Sequence, residues 1–338
     1  RGIQMIISQT PFRMSFFGGG TDYPDFYEKY GGSVLSTSFD KYCYLTVRHL
    51  PRFFNYTTQI TYGKIERVSS INEIEHPAVR EAMRMLDMHE LIIGYDADLP
   101  ARSGLGTSSS FAVGMLNAFY ALKGKYASKR KLAEDAIYLE RTLCKESGGI
   151  QDQIAAAYGG FNRIDFDKEG FHVNPIIISR ERLEELNGNL MLFFTGFSRF
   201  SSTIAKEQEK NIKNKVKDLL EMKQLVNDAE NILTSKTSLT ESGKLRDYTW
   251  RIKRGISSKV STDAIDIIYE KALKAGAIGG KILGAGGGGF LLLYVEREKQ
   301  DEVLKKLNDF LFVPFKFESQ GTRILYYKSE DYNLKKHI

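Results

Sequence analysis

The residues most suggestive of chemistry lie between Pro100 and Ser110, where the sequence reads Pro-Ala-Arg-Ser-Gly-Leu-Gly-Thr-Ser-Ser-Ser. Glycines let backbone N–H groups turn toward an anion, and a following helix directs its positive N-terminal end to the same point. Helical spacing over residues 111–122 predicts that helix. The run therefore predicts a phosphate-binding loop. It is not a P-loop, because no Gly-Lys-Ser or Gly-Lys-Thr ends it. An ordinary capped loop before a core helix is the alternative.

Two further segments are rich in glycine. Residues 10–22 read Thr-Pro-Phe-Arg-Met-Ser-Phe-Phe-Gly-Gly-Gly-Thr-Asp, and residues 281–290 read Lys-Ile-Leu-Gly-Ala-Gly-Gly-Gly-Gly-Phe. Glycine weakens the interior of any helix or strand, so the run from Gly284 to Gly289 predicts a tight turn whose backbone approaches a ligand. A loop shaped only by close packing is the alternative.

Three charged residues are candidates for catalysis, and each has a plain structural alternative. Asp152 follows the Gly148-Gly149 break and begins a short helix. Aspartate is a favoured N-cap, but a helix N-terminus also keeps a carboxylate ionised and directs it into a cleft, as a general base requires. Glu140 lies at the edge of the apolar face of a predicted helix, where it could form an ion pair. Arg13 could be a strand-end arginine paired with a surface carboxylate.

The elements that must position these residues are a mixture of strands and helices. Residues 33–48, 57–68, 91–99, 190–194 and 291–295 are typical of strands. Helical spacing marks 111–122, 129–146 and a long amphipathic segment from about 203 to 234. The strands come early and the helices cluster after them, which favours an α+β fold with a domain boundary near residues 180–188.

Composition excludes several classes of protein. The chain has 338 residues, 42% of them apolar, and a formal net charge of +6 that is mixed with acidic residues along the chain. No apolar run reaches the roughly 18 residues of a membrane span, and no basic stripe is interleaved with aromatic residues. We therefore expect no membrane and no nucleic acid as partner. Cys43 and Cys144 lack the spacing of a zinc site or a disulfide framework, which favours a reducing cytoplasm.

The order and spacing of the three glycine-rich segments resemble those of the GHMP kinases, the family of galactokinase, homoserine kinase, mevalonate kinase and phosphomevalonate kinase. The resemblance spans nearly the whole chain. It implies a two-domain fold: an N-terminal, ATP-binding domain like that of ribosomal proteins over residues 1–185, and a ferredoxin-like C-terminal domain over residues 186–338. The active site would lie in the cleft between them.

The resemblance also implies roles for individual residues. ATP would be bound by the central loop: Arg102, Ser103, Gly104, Leu105, Gly106, Thr107, Ser108 and Ser109. Gly149-Ile-Gln-Asp-Gln153 matches the segment that carries the catalytic aspartate of galactokinase, so Asp152 would be the base, and Arg13 would contact it and the transferred phosphate. Glu140 lies twelve residues before Asp152, the separation found in galactokinase, and would hold Mg²⁺ together with Ser108.

Substrate binding is where the chain departs from galactokinase. The residues implied are Gly18, Gly19, Gly20, Thr21, Asp22, Gly284, Ala285, Gly286 and Gly287. Galactokinase has Glu and His where this chain has Gly19 and Gly20, so galactose is not expected. The form of the first motif looks like that of the heptose kinases, which phosphorylate the anomeric hydroxyl of D-glycero-D-manno-heptose 7-phosphate in bacterial surface-glycan synthesis. Fucokinases are the nearest alternative.

A sugar phosphate would need cations beyond those that bind ATP. Arg199 is our main candidate for the distal phosphate, with Arg102 and Lys281 behind it, and each could instead be a solvated surface residue. Two other functions stay open. The N-terminal domain resembles RNA-binding folds, although no RNA-binding motif is present, and the chain could be a ligand-binding relative without activity. The set Arg13, Ser108, Glu140 and Asp152 argues against the second.

Overall fold

The computed structural model of the chain describes residues 5–101, 103–196, 201–256, 260–284 and 286–328. In these ranges the strands are β1 (Ile6–Phe17), β2 (Gly32–His49), β3 (Thr58–Thr61), β4 (Ile65–Val68), β5 (Leu91–Ala97), β6 (Phe161–Asp167), β7 (Gly170–Pro175), β8 (Leu190–Gly196), β9 (Gly279–Ile282), β10 (Gly289–Tyr294), β11 (Leu311–Phe312), β12 (Phe317–Glu318) and β13 (Arg323–Tyr326). The helices are α1 (Pro24–Tyr30), α2 (Pro77–Met85), α3 (Thr107–Leu122), α4 (Lys129–Ile137), α5 (Gln151–Tyr158), α6 (Arg180–Gly188), α7 (Ser201–Asn211), α8 (Val216–Thr234), α9 (Thr240–Ile256), α10 (Asp263–Lys274) and α11 (Gln300–Lys306).

The strands form two sheets, which confirms the predicted α+β class. The first has the order β13-β1-β2-β5-β3-β4, with β6 and β12 also paired to β2, and β7 paired to β6. Its β1–β2 pair is antiparallel and places Arg13 opposite Ser38. The second sheet has the order β11-β8-β10-β9 and is antiparallel throughout.

Each sheet is covered by helices on its apolar face. Helix α3 is buried along almost its whole length between the first sheet and its neighbouring helices, because its side chains are apolar or small on every face. Helices α9 and α10 cover the second sheet, where Trp250 and Tyr269 pack beside Leu291. The N-terminal end of α3, which follows the predicted phosphate-binding loop, and the C-terminal end of α9 face the same cleft between the two sheets.

The C-terminal segment returns to the first sheet. After the second sheet is complete, β12 pairs with β2 and β13 pairs with β1. If the chain is divided between residues 185 and 186, β12 and β13 belong to the second part, whereas the strands with which they pair belong to the first part. The division into 1–185 and 186–338 stays our proposal for the two domains.

Three predicted elements differ from those in the structure. The segment 57–68 is a hairpin of β3 and β4, because the chain turns at Tyr62, whose N–H bonds the carbonyl of Lys64. The helix predicted over 129–146 is α-helical only through α4 and continues as the π-helical segment Tyr138–Leu143.

The long helix predicted over 203–234 is also interrupted. A 3₁₀ turn at Ile212–Asn214 separates α7 from α8. Ile212 and Leu219 belong to one small apolar cluster with Phe26 and Ile256. No helix of the described ranges has the length and apolar character needed to cross a membrane.

Candidate active site

A polar cavity of about 590 Å³ opens between the two sheets. The first half of the chain contributes the end of β1, the loop after it, the loop before α3 and the start of α5. The second half contributes α7, α9 and β9. Side chains with opposite charges meet on its walls: Arg13, Asp22, Glu140, Asp152, Lys253 and Lys281. Concave sites with a few convergent polar groups are typical of small-molecule binding.

The central loop reaches the cavity as a left-handed turn before α3. Gly104 and Gly106 have φ of +83° and +70°, which side chains other than glycine rarely adopt. Gly106 precedes the first turn of α3 and packs against Arg13 and Asp152, where an added Cβ would lie 3.3 Å and 3.4 Å from their side chains. The N-terminal end of α3 therefore faces the cavity, as anion binding requires.

Not all of the predicted ATP-binding residues line this cavity. Gly104, Gly106, Thr107, Ser108 and Ser109 do. Ser103 and Leu105 are fully buried; the Ser103 hydroxyl donates to the carbonyl of Pro100, and Leu105 belongs to the apolar core. Both residues therefore lie on the side of the loop that faces away from the cavity, where they hold it in place. Arg102 lies outside the described residues.

Arg13 and Asp152 form an ion pair on the cavity wall. The Arg13 Nε donates to Asp152 Oδ1 at 2.7 Å, and Arg13 Nη1 donates to the carbonyl of Gly104 at 3.0 Å. Arg13 is buried, whereas a quarter of the Asp152 side chain is exposed to the cavity. Asp152 is the second residue of α5, whose N-cap is Ile150, so it is not the cap itself. The pair places an oriented carboxylate and a guanidinium beside the phosphate-binding loop.

Asp22 is the second carboxylate close to Asp152. It is buried and accepts hydrogen bonds from the backbone N–H groups of Gly20 and Gln151, at 3.1 Å and 3.2 Å. Burial and the nearby negative charge of Asp152 raise the pKa of the Asp22 carboxyl above its usual range. Gly149 admits this carboxylate, because a Cβ there would lie 1.9 Å from Asp22 Oδ2. The two carboxylates thus come from separate motifs and share one wall.

Glu140 lies in the π-helical segment and is buried rather than at the edge of the helix. It forms no ion pair among the described residues. Its Oε1 accepts from the Ser108 hydroxyl at 2.6 Å, and its Oε2 accepts from the Ser109 hydroxyl at 2.7 Å and from the Gln153 amide. Ser108 and Glu140 together present a hydroxyl and a carboxylate oxygen to the cavity.

Some residues of the first glycine-rich segment line the cavity, and others hold its turn in place. Gly19, Gly20 and Asp22 line the cavity. Gly18 and Thr21 do not; the Thr21 hydroxyl donates to the carbonyls of Gly18 and Ser33 and holds the turn together. Gly18 is required there because a Cβ would lie 2.0 Å from the Ser33 carbonyl oxygen.

Among the described residues of the late glycine run, a single one lines the cavity. Gly284 lines it, and its backbone meets the phosphate-binding loop, since an added Cβ would lie 2.5 Å from the Cα of Gly104. Gly286 and Gly287 pack on Val260 instead. Ala285 and Arg199 lie outside the described residues, so their predicted contacts remain predictions.

Two buried lysines line the cavity, and sequence reasoning missed the first. Lys253 comes from α9 and donates to the carbonyl of Gly284, while Lys281 comes from β9 and donates to the carbonyl of Ser15 at 2.7 Å. Burial and Arg13 lower the pKa of Lys253 to about 8. Burial and the positive charges of Lys253 and Arg13 lower the pKa of Lys281 as well. Lys253 stands among other charged residues of an amphipathic helix, so no local signal distinguishes it.

Comparison with known proteins gives two family matches. Residues 72–160 match the N terminal domain of the GHMP kinases, and residues 229–312 match the C terminal domain of the GHMP kinases. The two matches together span just over half of the chain. Each contains part of the cavity wall: the phosphate-binding loop, Glu140 and Asp152 in the first, and both lysines in the second.

Individual relatives cover most of the chain. It is 28% identical over 326 residues to the D-glycero-alpha-D-manno-heptose 7-phosphate kinase of Campylobacter jejuni, covering 90% of this chain and 94% of that protein. It is 26% identical over 334 residues to the bifunctional fucokinase/GDP-fucose pyrophosphorylase of Arabidopsis thaliana, covering 31% of that longer protein. A crystal structure of a D-glycero-D-manno-heptose 1-phosphate kinase from Bacteroides thetaiotaomicron superimposes with a TM-score of 0.78 at 26% identity, covering 96% of this chain and all of that one.

Proposed function

Because the chain belongs to the GHMP kinase family, we propose that it transfers the γ-phosphate of ATP to the anomeric hydroxyl of D-glycero-D-manno-heptose 7-phosphate, giving the 1,7-bisphosphate. The observation that carries the choice of sugar is the match to the heptose 7-phosphate kinase of Campylobacter jejuni, which extends over 94% of that protein. Kinases of this family use ATP, and the chain is a kinase of sugar or other small hydroxyl substrates.

The residues of the cavity support this proposal, because each part that phosphoryl transfer requires has a candidate among them. The N-terminus of α3 and the Gly104–Gly106 turn would hold the ATP phosphates, and Asp152 would orient the sugar hydroxyl and accept its proton. Arg13 contacts the Asp152 carboxylate through the 2.7 Å ion pair, and its guanidinium would contact the phosphate during transfer. Asp22, beside Gly19 and Gly20, would accept hydrogen bonds from neighbouring sugar hydroxyls.

The donor set of Ser108 and Glu140 fits Mg²⁺. Both groups offer hard oxygen atoms to the cavity, and the Ser109 and Gln153 donors fix the second carboxylate oxygen of Glu140 so that the first faces the ligand space. The described residues contain no cluster of three or more His, Cys, Asp or Glu side chains that could bind a metal without help. Phosphate oxygens and water would complete the coordination, and the bound ion would neutralise charge on the phosphates.

Glycine at positions 19 and 20 supports a substrate longer than a hexose. Both residues line the main cavity and also a small apolar recess behind it, whose wall includes Tyr23, Gln208 and Ile256. Side chains at these positions would fill the space. The first motif of the chain would thus leave room next to Asp22 for the extra carbon of a heptose.

An acceptor screen tests this function. The purified protein would be incubated with ATP and, separately, heptose 7-phosphate, free heptose, L-fucose, galactose and mevalonate, and ADP release would be measured. We expect the highest kcat/KM with heptose 7-phosphate and a product whose ³¹P spectrum shows a new anomeric phosphate. The fucokinase match makes L-fucose the second candidate. Preference for fucose, or no turnover of heptose 7-phosphate, would overturn the assignment.

A further inference from the structure

Lys253 is the one α9 side chain on the wall of the main cavity among the described residues. It lies in the second half of the chain, and only 6% of the residue is accessible to solvent. Its Nζ bonds the carbonyl of Gly284 at 2.5 Å. Because the backbone of Gly284 packs on that of Gly104, the ammonium sits where the two glycine loops meet.

The charge environment of Lys253 is incomplete without an anion. The ammonium group has three N–H donors, and within the described ranges one hydrogen bond occupies it. Arg13 lies close enough to lower its pKa, and Lys281 adds a further positive charge nearby. Asp22 and Asp152 offset these charges in part. Burying a cation beside another cation is costly, and a bound anion would offset that cost.

The residues around Lys253 indicate which anion its ammonium group could contact. Gly104 belongs to the loop that would hold the ATP phosphates, and Arg13 bonds both Gly104 and Asp152. Lys253 also lines the recess behind Gly19 and Gly20. The ammonium therefore lies beside the loop that would hold the ATP phosphates and beside the recess behind Gly19 and Gly20.

We propose that Lys253 is a catalytic residue whose ammonium group binds the nonbridging oxygens of the phosphoryl group during its transfer. The proposal rests on the kinase function above. In the step, the acceptor hydroxyl oxygen bonds to the γ-phosphorus while the bond from that phosphorus to the β–γ bridging oxygen breaks. Its electron pair stays with ADP, and the hydroxyl proton passes to Asp152. Lys253 and Arg13 would hold the migrating group from two sides, whereas Lys281, bonded to Ser15 of β1, would only position the strand.

Replacement by an uncharged side chain of similar length separates this role from a structural one. We expect Lys253→Met to lower kcat by roughly 10²- to 10³-fold, the usual loss for one donor to a developing anion, with KM for ATP and sugar changed only a few-fold. Lys223→Met is the matched control. Lys223 also donates to a backbone carbonyl that is distant in sequence, the carbonyl of Tyr30, but it does not line the cavity. It should keep kcat within about two-fold.

A transition-state mimic gives a readout that does not depend on the acceptor. ADP together with aluminium fluoride resembles the migrating phosphoryl group, whereas ADP alone does not. We expect Lys253→Met to bind ADP normally in calorimetry but to lose at least tenfold in affinity for ADP with aluminium fluoride. A purely structural lysine would affect both ligands equally, and that result would overturn the proposal.

The pH profile provides an independent check on the wild-type protein and on Lys253→Arg. The charged groups that face Lys253 are Arg13, Asp22, Asp152 and Lys281. Since the ammonium form is required and its pKa is about 8, kcat/KM should fall as the pH rises above 8. The arginine variant keeps its charge throughout and should lose that alkaline decline. An unchanged decline would exclude Lys253 as its source.

The outcomes distinguish the two proposals. If the wild type phosphorylates none of the sugars, the proposed function fails, and the ADP–aluminium fluoride measurement still decides the role of Lys253. If the wild type is active and Lys253→Met has a kcat within three-fold of it, the role of Lys253 is wrong and the kinase assignment stands.

Discussion

Asp152 shows how a single carboxylate acquires its role from its contacts. The Arg13 guanidinium and the first turn of α5 fix its orientation, and its exposed part faces the cavity beside Gly106. Of the three carboxylates discussed above, Asp22 accepts two backbone hydrogen bonds and Glu140 is held by two serines and a glutamine, whereas Asp152 keeps a quarter of its side chain exposed. Asp152 is therefore the residue best placed to accept a proton.

Substitution of Asp152 by asparagine removes proton acceptance and keeps the shape. We expect Asp152→Asn to leave the affinity for ATP within a few-fold and to lower kcat by roughly 10²-fold or more, the range of general-base loss. Steady-state kinetics and ATP titration measure the two quantities. Asp135→Asn is the control, because Asp135 also pairs with a cation, Lys131, but far from the cavity. A kcat near that of the wild type would remove Asp152 from the mechanism.

The metal assignment is tested at the residues that would hold it. Glu140→Gln and Ser108→Ala should each raise the Mg²⁺ concentration needed for half-maximal rate, since each removes an oxygen ligand or its charge. Binding of Mn²⁺, followed by electron paramagnetic resonance, should weaken in parallel. Ser110→Ala is the control, because the Ser110 hydroxyl donates to the carbonyl of Pro11 away from the cavity. Unchanged metal dependence in both variants would make Glu140 a structural residue.

At the scale of elements, the site depends on the contact between two glycine loops. The loop before α3 and the turn after β9 approach so closely that a Cβ on Gly104 would lie 2.2 Å from the Leu283 carbonyl oxygen. This contact brings the second sheet, and with it α9, against the phosphate-binding loop. Two glycines facing each other are thus what lets the two halves of the chain form one cavity.

Adding one methyl group to this contact should separate the halves. We expect Gly104→Ala to raise KM for ATP several-fold. A left-handed backbone alone costs an alanine about 1–2 kcal/mol, and we expect the variant to lose more than this in free energy of unfolding. Gly124→Ala is the control, because Gly124 has φ +66° but no atom within 4 Å of its Cβ position. Urea unfolding and ATP kinetics measure both effects. Equal stability losses, with KM unchanged in Gly104→Ala, would contradict the role of the contact.

At the scale of the whole molecule, the two halves divide the work of recognition. The first half of the chain supplies Arg13, the carboxylates and the predicted phosphate-binding loop, whereas the second half supplies Lys253 and Lys281. The returning strands β12 and β13 tie the end of the chain back onto the first sheet. The first sheet is thus completed by strands that lie far apart in sequence.

The same division predicts how a distal phosphate is recognised. A charge-assisted contact is worth about 1.5–3 kcal/mol, so heptose 7-phosphate should exceed free heptose by roughly 10- to 150-fold in kcat/KM. Arg199, outside the described residues, remains our candidate for this contact. Arg199→Ala should remove most of the difference and barely change turnover of the free sugar. Arg180→Ala, which breaks only the exposed pair with Glu184, should preserve it. Equal turnover of the two sugars by the wild type would refute the contact.

The sequence by itself determined the α+β class, the family and the motif residues Arg13, Ser108, Glu140 and Asp152. The phosphate-binding loop was predicted from local patterns, because glycine runs and helix N-termini act through local backbone geometry, whereas the family and the roles of these four residues were predicted from the resemblance to the GHMP kinases. The motif residues do meet in one cavity, although Ser103, Leu105, Gly18 and Thr21 proved to lie behind it.

The tertiary structure alone decided the breaks in two helices, the return of the C-terminal strands and the place of Lys253. The sequence shows the α9 lysine only as one of several charged residues on an amphipathic helix. Its position depends on how α9 packs across the second sheet and on the meeting of Gly104 with Gly284. Long-range packing sets such contacts, and no local pattern encodes them.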